Sequence, residues 1–209
     1  MHTFTASLRL AVGALGAAAV VATFFDTASR ERINPFNFFG FFTMQGNIFG
    51  AIVLLLTAYV GLARLPRSRA LELARACATT YLAIVGLVYN VLLAGLPGGV
   101  DLAWANTVLH IVVPIYVVVD WVAFADRRRL PWARFWFVLI YPLVWLTVVL
   151  IRGATDGWVP YPFLDPATGY QSVGGYAVAI AVGFGVIGVA VWACSRLALV
   201  SVPDAAPRR

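Results

Sequence analysis

The stretch from Phe36 to Ala63, FNFFGFFTMQGNIFGAIVLLLTAYVGLA, carries no charged residue and is apolar over most of its length. A hydrocarbon layer about 30 Å thick takes about 20 helical residues to cross, so this run spans a bilayer with length left for tilt. Within it Thr43, Gly46, Asn47 and Gly50 recur at spacings of three and four, which on a helix share one face. The opposite side is Phe, Ile, Val and Leu. Lipid tails are as apolar as these side chains, so close approach through small residues drives helices together, and this face is expected to point into a bundle. Pro35 suits the start of the helix, because its missing N–H falls among donors that have no helical partner there.

Five further apolar runs flank this one, at about 6–25, 76–96, 104–124, 132–151 and 175–199. The chain is 62% hydrophobic and 11% charged with mean hydropathy +0.87. Soluble domains average about 45–50% apolar and about 25% charged. The expected fold is therefore all-α: a polytopic membrane protein built as one domain, 1–209, from six transmembrane helices. The first run exceeds the roughly 7–15 residues of a signal peptide's apolar core and is read as a span. The sequence shows no internal repeat.

Charge adds an orientation. The net +6 comes from arginine alone, without lysine. Arg9, Arg64, Arg67, Arg69, Arg75, Arg127, Arg128, Arg129, Arg134, Arg196, Arg208 and Arg209 fall on one side of the six runs, and Arg30, Arg32 and Arg152 on the other. By the positive-inside rule both termini are expected in the cytoplasm, N-in and C-in. Arginines placed at helix ends by topology give no reason to expect a nucleic-acid partner; the expected partner is the bilayer. Cys77 and Cys194 both lie near cytoplasmic ends and are expected to be reduced, without a disulfide. No metal or cofactor is expected.

Polar residues inside the spans are few. Ala83, Gly86 and Asn90 trace a small and polar face on the third, and the fourth carries Asn106, His110, Pro114 and Asp120. At about 1.5 Å per residue from the outer ends, Thr43 falls roughly 10 Å deep and His110 and Asn90 roughly 9 Å deep. Threonine, histidine and asparagine thus share one layer of the outer half. Such a set permits acyl transfer. A threonine hydroxyl becomes a nucleophile when an adjacent neutral imidazole takes its proton, so Thr43 and His110 are the candidate catalytic pair. Asn47 or Asn90 could donate to the developing oxyanion or support the pair. Asp120, roughly 15 Å along its helix from His110, is too distant to orient the ring and is read as an ion-pair partner of nearby arginines. Tyr141-Pro142 is read as a packed kink. The same polar residues fit two other classes, a small-molecule or lipid transporter or channel, and a non-catalytic lipid-binding membrane protein.

Three patches carry a resemblance: NFFGFFTMQGN (Asn37 to Asn47), LHIVVPIYVVVDW (Leu109 to Trp121) and WVPYPFLDP (Trp158 to Pro166). With them the chain resembles a bacterial family of six-helix integral membrane proteins. That family is related to the eukaryotic androgen-induced and androgen-dependent TFPI-regulating proteins, membrane threonine hydrolases that cleave fatty acid esters of hydroxy fatty acids. The resemblance implies Thr43 as nucleophile, His110 as base, no cofactor, a lipid ester as substrate and a place in the bacterial cytoplasmic (inner) membrane. The site would face the outer leaflet. Phe39 and Phe42 would then hold acyl chains, while Trp158, Tyr161 and Asp165 of the external loop, with Arg152, would cap the entrance or receive the product carboxylate.

Overall fold

The computed structural model describes residues 2–96, 100–124 and 126–197. Residues 97–99, the end of the sixth expected span, and Arg208 and Arg209 lie outside them. The described chain is all-α. Helix α1 (His2–Arg30) leads to a single turn, α2 (Pro35–Phe38), and then to α3 (Phe42–Leu62). Helix α4 (Arg69–Val88) runs on into a π-helical turn, Tyr89–Leu93; α5 (Ala103–Thr107) and α6 (Val113–Ala123) are joined by a second π-helical turn, Val108–Val112. Helices α7 (Phe137–Thr155) and α8 (Tyr170–Cys194) flank a loop of two 3-10 turns. Among the described residues six continuous helical segments are long and apolar enough to cross a membrane: Thr3–Arg30, Phe42–Leu62, Arg69–Leu93, Ala103–Ala123, Trp132–Thr155 and Tyr170–Cys194.

Several boundaries differ from expectation, two of them for clear local reasons. The helix expected to run unbroken from Phe36 is interrupted at Phe39–Phe41. Asn34 Oδ1 caps α2 by accepting from Phe36 N–H at 3.0 Å, with Pro35 in the first helical position as expected. The break is held from outside: Trp145 Nε1–H donates to the Gly40 carbonyl at 2.8 Å, and a Cβ on Gly40 would lie 2.5 Å from the Trp158 ring. Thr43 therefore sits in the first turn of α3 instead of midway down a longer helix. The first span also continues past Phe25 to Arg30, because the Ser29 hydroxyl and the Arg30 guanidinium both reach back one turn to Asp26.

The small face of α3 meets α4 as expected. A Cβ on Gly46 would touch Val85 at 3.6 Å, and Gly50 faces Leu82. Gly86 of α4 lies so close to α6 that a Cβ there would fall 2.9 Å from Pro114 Cβ. Along α8, Gly183 and Gly188 face neighbours while Gly185 faces open space. Among the described residues the apolar core has three parts. Ala19, Leu54, Leu82 and Val113 join α1, α3, α4 and α6; Phe42, Tyr81, Trp121, Val138 and Trp192 join α3, α4, α6, α7 and α8; and Val149, Leu164 and Val173 join α7, the loop after it and α8.

Charge is sorted to the two ends of the bundle. At one end Arg9 pairs with Asp120 at 2.8 Å and Asp126 at 2.6 Å. Arg75 reaches Asp120 at 3.1 Å, Asp126 at 3.2 Å and Glu72 at 3.3 Å, and Arg67 reaches Asp126 at 3.0 Å. Arg127 donates to the carbonyls of Cys194 and Leu197 at the same end. Asp120 is thus an ion-pair partner, and its partners come from α1 as well as α4. At the other end Arg30 binds Asp26 and Asp101, and Arg152 binds Asp156 and Asn37.

Candidate functional site

The N-terminal turn of α3 opens onto a cavity of about 150 Å³ at the end of the bundle that carries Trp158. Its wall is mostly apolar, with Phe42, Ile84, Pro142 and Phe184 among its members, and Thr43, Tyr89, Trp145 and Tyr161 are the lining residues with polar side-chain atoms. Thr43 is nine-tenths buried in the protein. Phe41, in the capping position of α3, offers no side-chain acceptor, so the first N–H groups need partners from elsewhere. Tyr161 supplies one. Its hydroxyl oxygen accepts from Thr43 N–H at 3.2 Å and lies 3.4 Å from Thr43 Oγ1. Phe41, Trp145 and Phe163 pack around the Tyr161 ring at centroid distances of 5.7, 5.9 and 5.4 Å. Burial pushes the Tyr161 phenol up from its ordinary value, which keeps its O–H intact at neutral pH.

His110 lies in the π-helical turn before α6 and is buried. Its Nδ1 is 3.1 Å from the Asn106 carbonyl. A carbonyl can only accept, so Nδ1 carries the proton and Nε2 keeps a lone pair. The tautomer a general base requires is set by a backbone group where a carboxylate would do the same work in a triad. The Tyr89 ring stacks on the imidazole at 3.8 Å and 16°, and Asn106 Nδ2–H donates to the Tyr89 hydroxyl. His110 therefore stands behind one of the side chains that line the cavity.

Pro114 explains the two asparagines. Val113 N–H is drawn to the Val108 carbonyl by the π-helical turn, and Pro114 has no N–H. The Leu109 carbonyl loses its helical donors, and His110's loses the usual one four residues on. Asn47 Nδ2 supplies the first at 3.2 Å, giving its other hydrogen to the Thr43 carbonyl at 3.0 Å. Asn90 Nδ2 supplies the second at 3.4 Å while also donating to Gly86 O at 2.7 Å. The expected polar layer is thereby real as a set of contacts: Asn47 ties the Thr43 turn to the residue before His110, and Asn90 holds His110 itself. Both amides act on backbone carbonyls, with no N–H left for a substrate oxygen, which favours the supporting role over the oxyanion role considered for them.

The remaining expected residues separate. Phe42 and Tyr161 line the cavity. Phe39 stacks on Phe24 at 5.6 Å and lines a different apolar groove, of about 300 Å³, between α1 and α3. Arg152 lies 4.2 Å over the Trp158 ring and donates to Asn37 Oδ1 at 2.9 Å; Asp165 accepts from Ala167 N–H at 2.8 Å and caps a 3-10 turn. These three residues fasten the loop and do not form the cavity wall. Thr43 and His110 have separate hydrogen-bond partners, Tyr161 and Asn106, and no hydrogen bond joins them among the described residues. Sequence reasoning missed Tyr89 and the carbonyl of Asn106. The spacing of four between Asn106 and His110 was a legible signal; nothing local marks Tyr89.

Among known proteins, no family model, no curated protein and no solved structure matches this chain. The arrangement itself offers three chemical elements: a hydroxyl at an apolar cavity, a phenol O–H beside it, and an imidazole with a free lone pair one side chain away.

Proposed function

We propose that this chain is an intramembrane hydrolase that cleaves lipid esters, with fatty acid esters of hydroxy fatty acids as the substrate class, Thr43 as nucleophile and His110 as base. The observation that carries the reading is Thr43 on the wall of a largely apolar cavity, clamped through Asn47 to the turn that holds a lone-pair-bearing His110. An acyl chain needs an apolar slot, and ester cleavage needs one activated hydroxyl within it. In the reaction His110 Nε2 takes the Thr43 proton as Oγ1 bonds to the carbonyl carbon. The alkoxide then leaves with that proton, and water releases the acyl group from Thr43 by the same route. The resemblance of the three sequence patches to the threonine hydrolases supports this reading. On the arginine distribution both termini face the cytoplasm and the cavity lies in the outer half of the membrane, which the resemblance implies is a bacterial inner membrane.

A second reading, lipid binding without chemistry, is favoured by the separate partners of Thr43 and His110. An alkyl fluorophosphonate separates the two. The hydrolase reading expects labelling of Thr43 in the purified protein, lost in Thr43→Ala and in His110→Ala while both variants stay folded. A wild type that neither labels nor turns over long-chain esters, yet binds fatty acid in the cavity, would establish the second reading. Orientation is tested separately: an impermeant thiol reagent applied to intact cells should label Ala167→Cys and spare Arg129→Cys.

A further inference from the structure

Attack on an ester carbonyl builds negative charge on its oxygen, and a site that does this work needs a donor aimed at that oxygen. The polar groups around the cavity can be taken in turn. Asn47 gives both amide hydrogens to backbone carbonyls, and Asn90 donates to two more. Trp145 Nε1–H is held by the Gly40 carbonyl. The Tyr89 hydroxyl accepts from Asn106 and keeps its own hydrogen, but its ring lies on His110 and its contacts are on that side of the wall. Tyr161 is the phenol at Thr43. Its oxygen accepts from Thr43 N–H, so its own hydrogen is free to point at Thr43 Oγ1, 3.4 Å away, or at an oxygen one carbon beyond Oγ1.

We infer that Tyr161, reaching into the bundle from the loop between α7 and α8, is the donor that stabilises the oxyanion formed on Thr43. This rests on the hydrolase reading above. When Oγ1 bonds to the carbonyl carbon, the carbon–oxygen π pair moves to the carbonyl oxygen and the Thr43 proton goes to His110. The new oxyanion is attached to the carbon that Oγ1 holds and lies within range of the Tyr161 hydroxyl. Tyr161 donates a hydrogen bond without giving up its proton, and the bond weakens again as the carbonyl re-forms and the alkoxide leaves. The hydrogen bond from Thr43 N–H into the phenol oxygen polarises the O–H and strengthens it as a donor. The same contact keeps the phenol in register with the nucleophile, because both ends of it belong to Thr43. The loop's anchorage, Trp158 against Gly40 and Arg152 on Asn37, then serves the chemistry by fixing where Tyr161 enters.

Tyr161→Phe removes the hydroxyl and keeps the ring that packs on Phe41, Trp145 and Phe163. With a long-chain ester substrate it should lower kcat by about 10²–10³-fold, the loss typical of one oxyanion donor, with KM changed by less than about threefold. An alkyl trifluoromethyl ketone, which forms a tetrahedral adduct with the nucleophile, should lose affinity by a similar factor. The matching alkyl alcohol, which only fills the cavity, should bind as before. Tyr161→Phe turning over ester within about threefold of wild type would overturn the inference and leave the hydrolase reading standing. So would equal losses for ketone and alcohol, which would assign Tyr161 to shaping the cavity alone. A wild type inactive on esters and unlabelled by fluorophosphonate would overturn both.

Discussion

Asparagine in place of Asp120 removes one charge from a buried network of three arginines, Arg9, Arg67 and Arg75, and three carboxylates, Glu72, Asp120 and Asp126. Asp120 holds Arg9 Nε at 2.8 Å and Arg75 Nη2 at 3.1 Å. Opposite charges centred about 4 Å apart attract by about 4 kcal/mol at an effective dielectric of about 20, so two lost pairs amount to about 8 kcal/mol. Asp126 shares both guanidiniums, and two carboxylates on one guanidinium, typically about 6 Å apart, repel by about 3 kcal/mol, which the substitution returns. The asparagine oxygen still accepts a hydrogen bond, worth about 1 kcal/mol. The net loss is about 4 kcal/mol, inside the range of about 3–5 kcal/mol found when one partner of a buried pair is removed. Unfolding in mixed micelles reads this directly by tryptophan fluorescence, since Arg75 and Arg127 sit 5.6 and 5.5 Å from the Trp121 ring centre. The double variant Arg9→Met with Asp120→Leu leaves Arg67 and Arg75 balanced by Glu72 and Asp126 and should lose less than Asp120→Asn alone. A loss under about 1 kcal/mol for Asp120→Asn, or a double variant worse than the single, would refute the reasoning.

The same network gives a pH dependence. Burial would raise the Asp126 carboxyl, but Arg75, Arg9 and Arg67 outweigh it and hold the group well below the usual carboxylate range. Its contribution should be complete above the unfolded value of about 3.9 and fall away as pH drops toward the folded value; Asp126→Asn should lower the plateau and flatten that acid limb. Gly86→Ala places a Cβ 2.9 Å from Pro114 and 3.3 Å from the His110 carbonyl, so α4 and α6 must part, at a cost of about 1–3 kcal/mol in the same unfolding measurement. Asn47→Leu leaves the Leu109 carbonyl without its donor and should cost about 1–3 kcal/mol, with the loss absent if an ordered water replaces the amide. Tyr89→Leu should expose the His110 ring and speed its modification by diethyl pyrocarbonate, read on the His110 peptide by mass spectrometry, whereas Tyr89→Phe keeps the stack and should change the rate little.

Much of the fold was legible because the bilayer asks a simple question of a sequence. Six runs of sufficient length and apolarity, small residues at spacings of three and four, and the sorting of arginines to alternate ends needed only composition and periodicity. The site was half legible. Thr43, Asn90 and His110 could be placed in one layer because each is a rare polar group at a countable distance from a helix end. The break at Phe39–Phe41 could not be read, since nothing within that stretch interrupts a helix; the break is held by Trp145 and Trp158, far along the chain. For the same reason Tyr161 could be assigned to an external loop but not to Thr43. Arg9 was counted as a charge near an end, yet it lies inside the first helix and is buried, because the carboxylates that neutralise it come from α6 and the residues after it.

Pro114 then separates what the polar layer owes to folding from what it leaves for chemistry. A proline beside a π-helical turn frees the carbonyls of Leu109 and His110 within a helix apolar enough to cross a membrane, and such carbonyls demand donors. Asn47 and Asn90 answer that demand, so their presence in the layer follows from Pro114 and would hold in a protein without any activity. Thr43, Tyr161, Tyr89 and His110 do not follow from it. The Thr43 hydroxyl solves no backbone deficit, and the Tyr161 phenol, which accepts from Thr43 N–H, keeps its own hydrogen; both residues line the cavity. His110 satisfies the Asn106 carbonyl with one nitrogen and retains the other. On the proposed reading the chemistry uses the capacity left at Thr43, Tyr161 and His110, on or behind the cavity wall; Asn47 Oδ1, Asn106 Oδ1 and the Tyr116 hydroxyl are also without partners, but none of those residues lines the cavity.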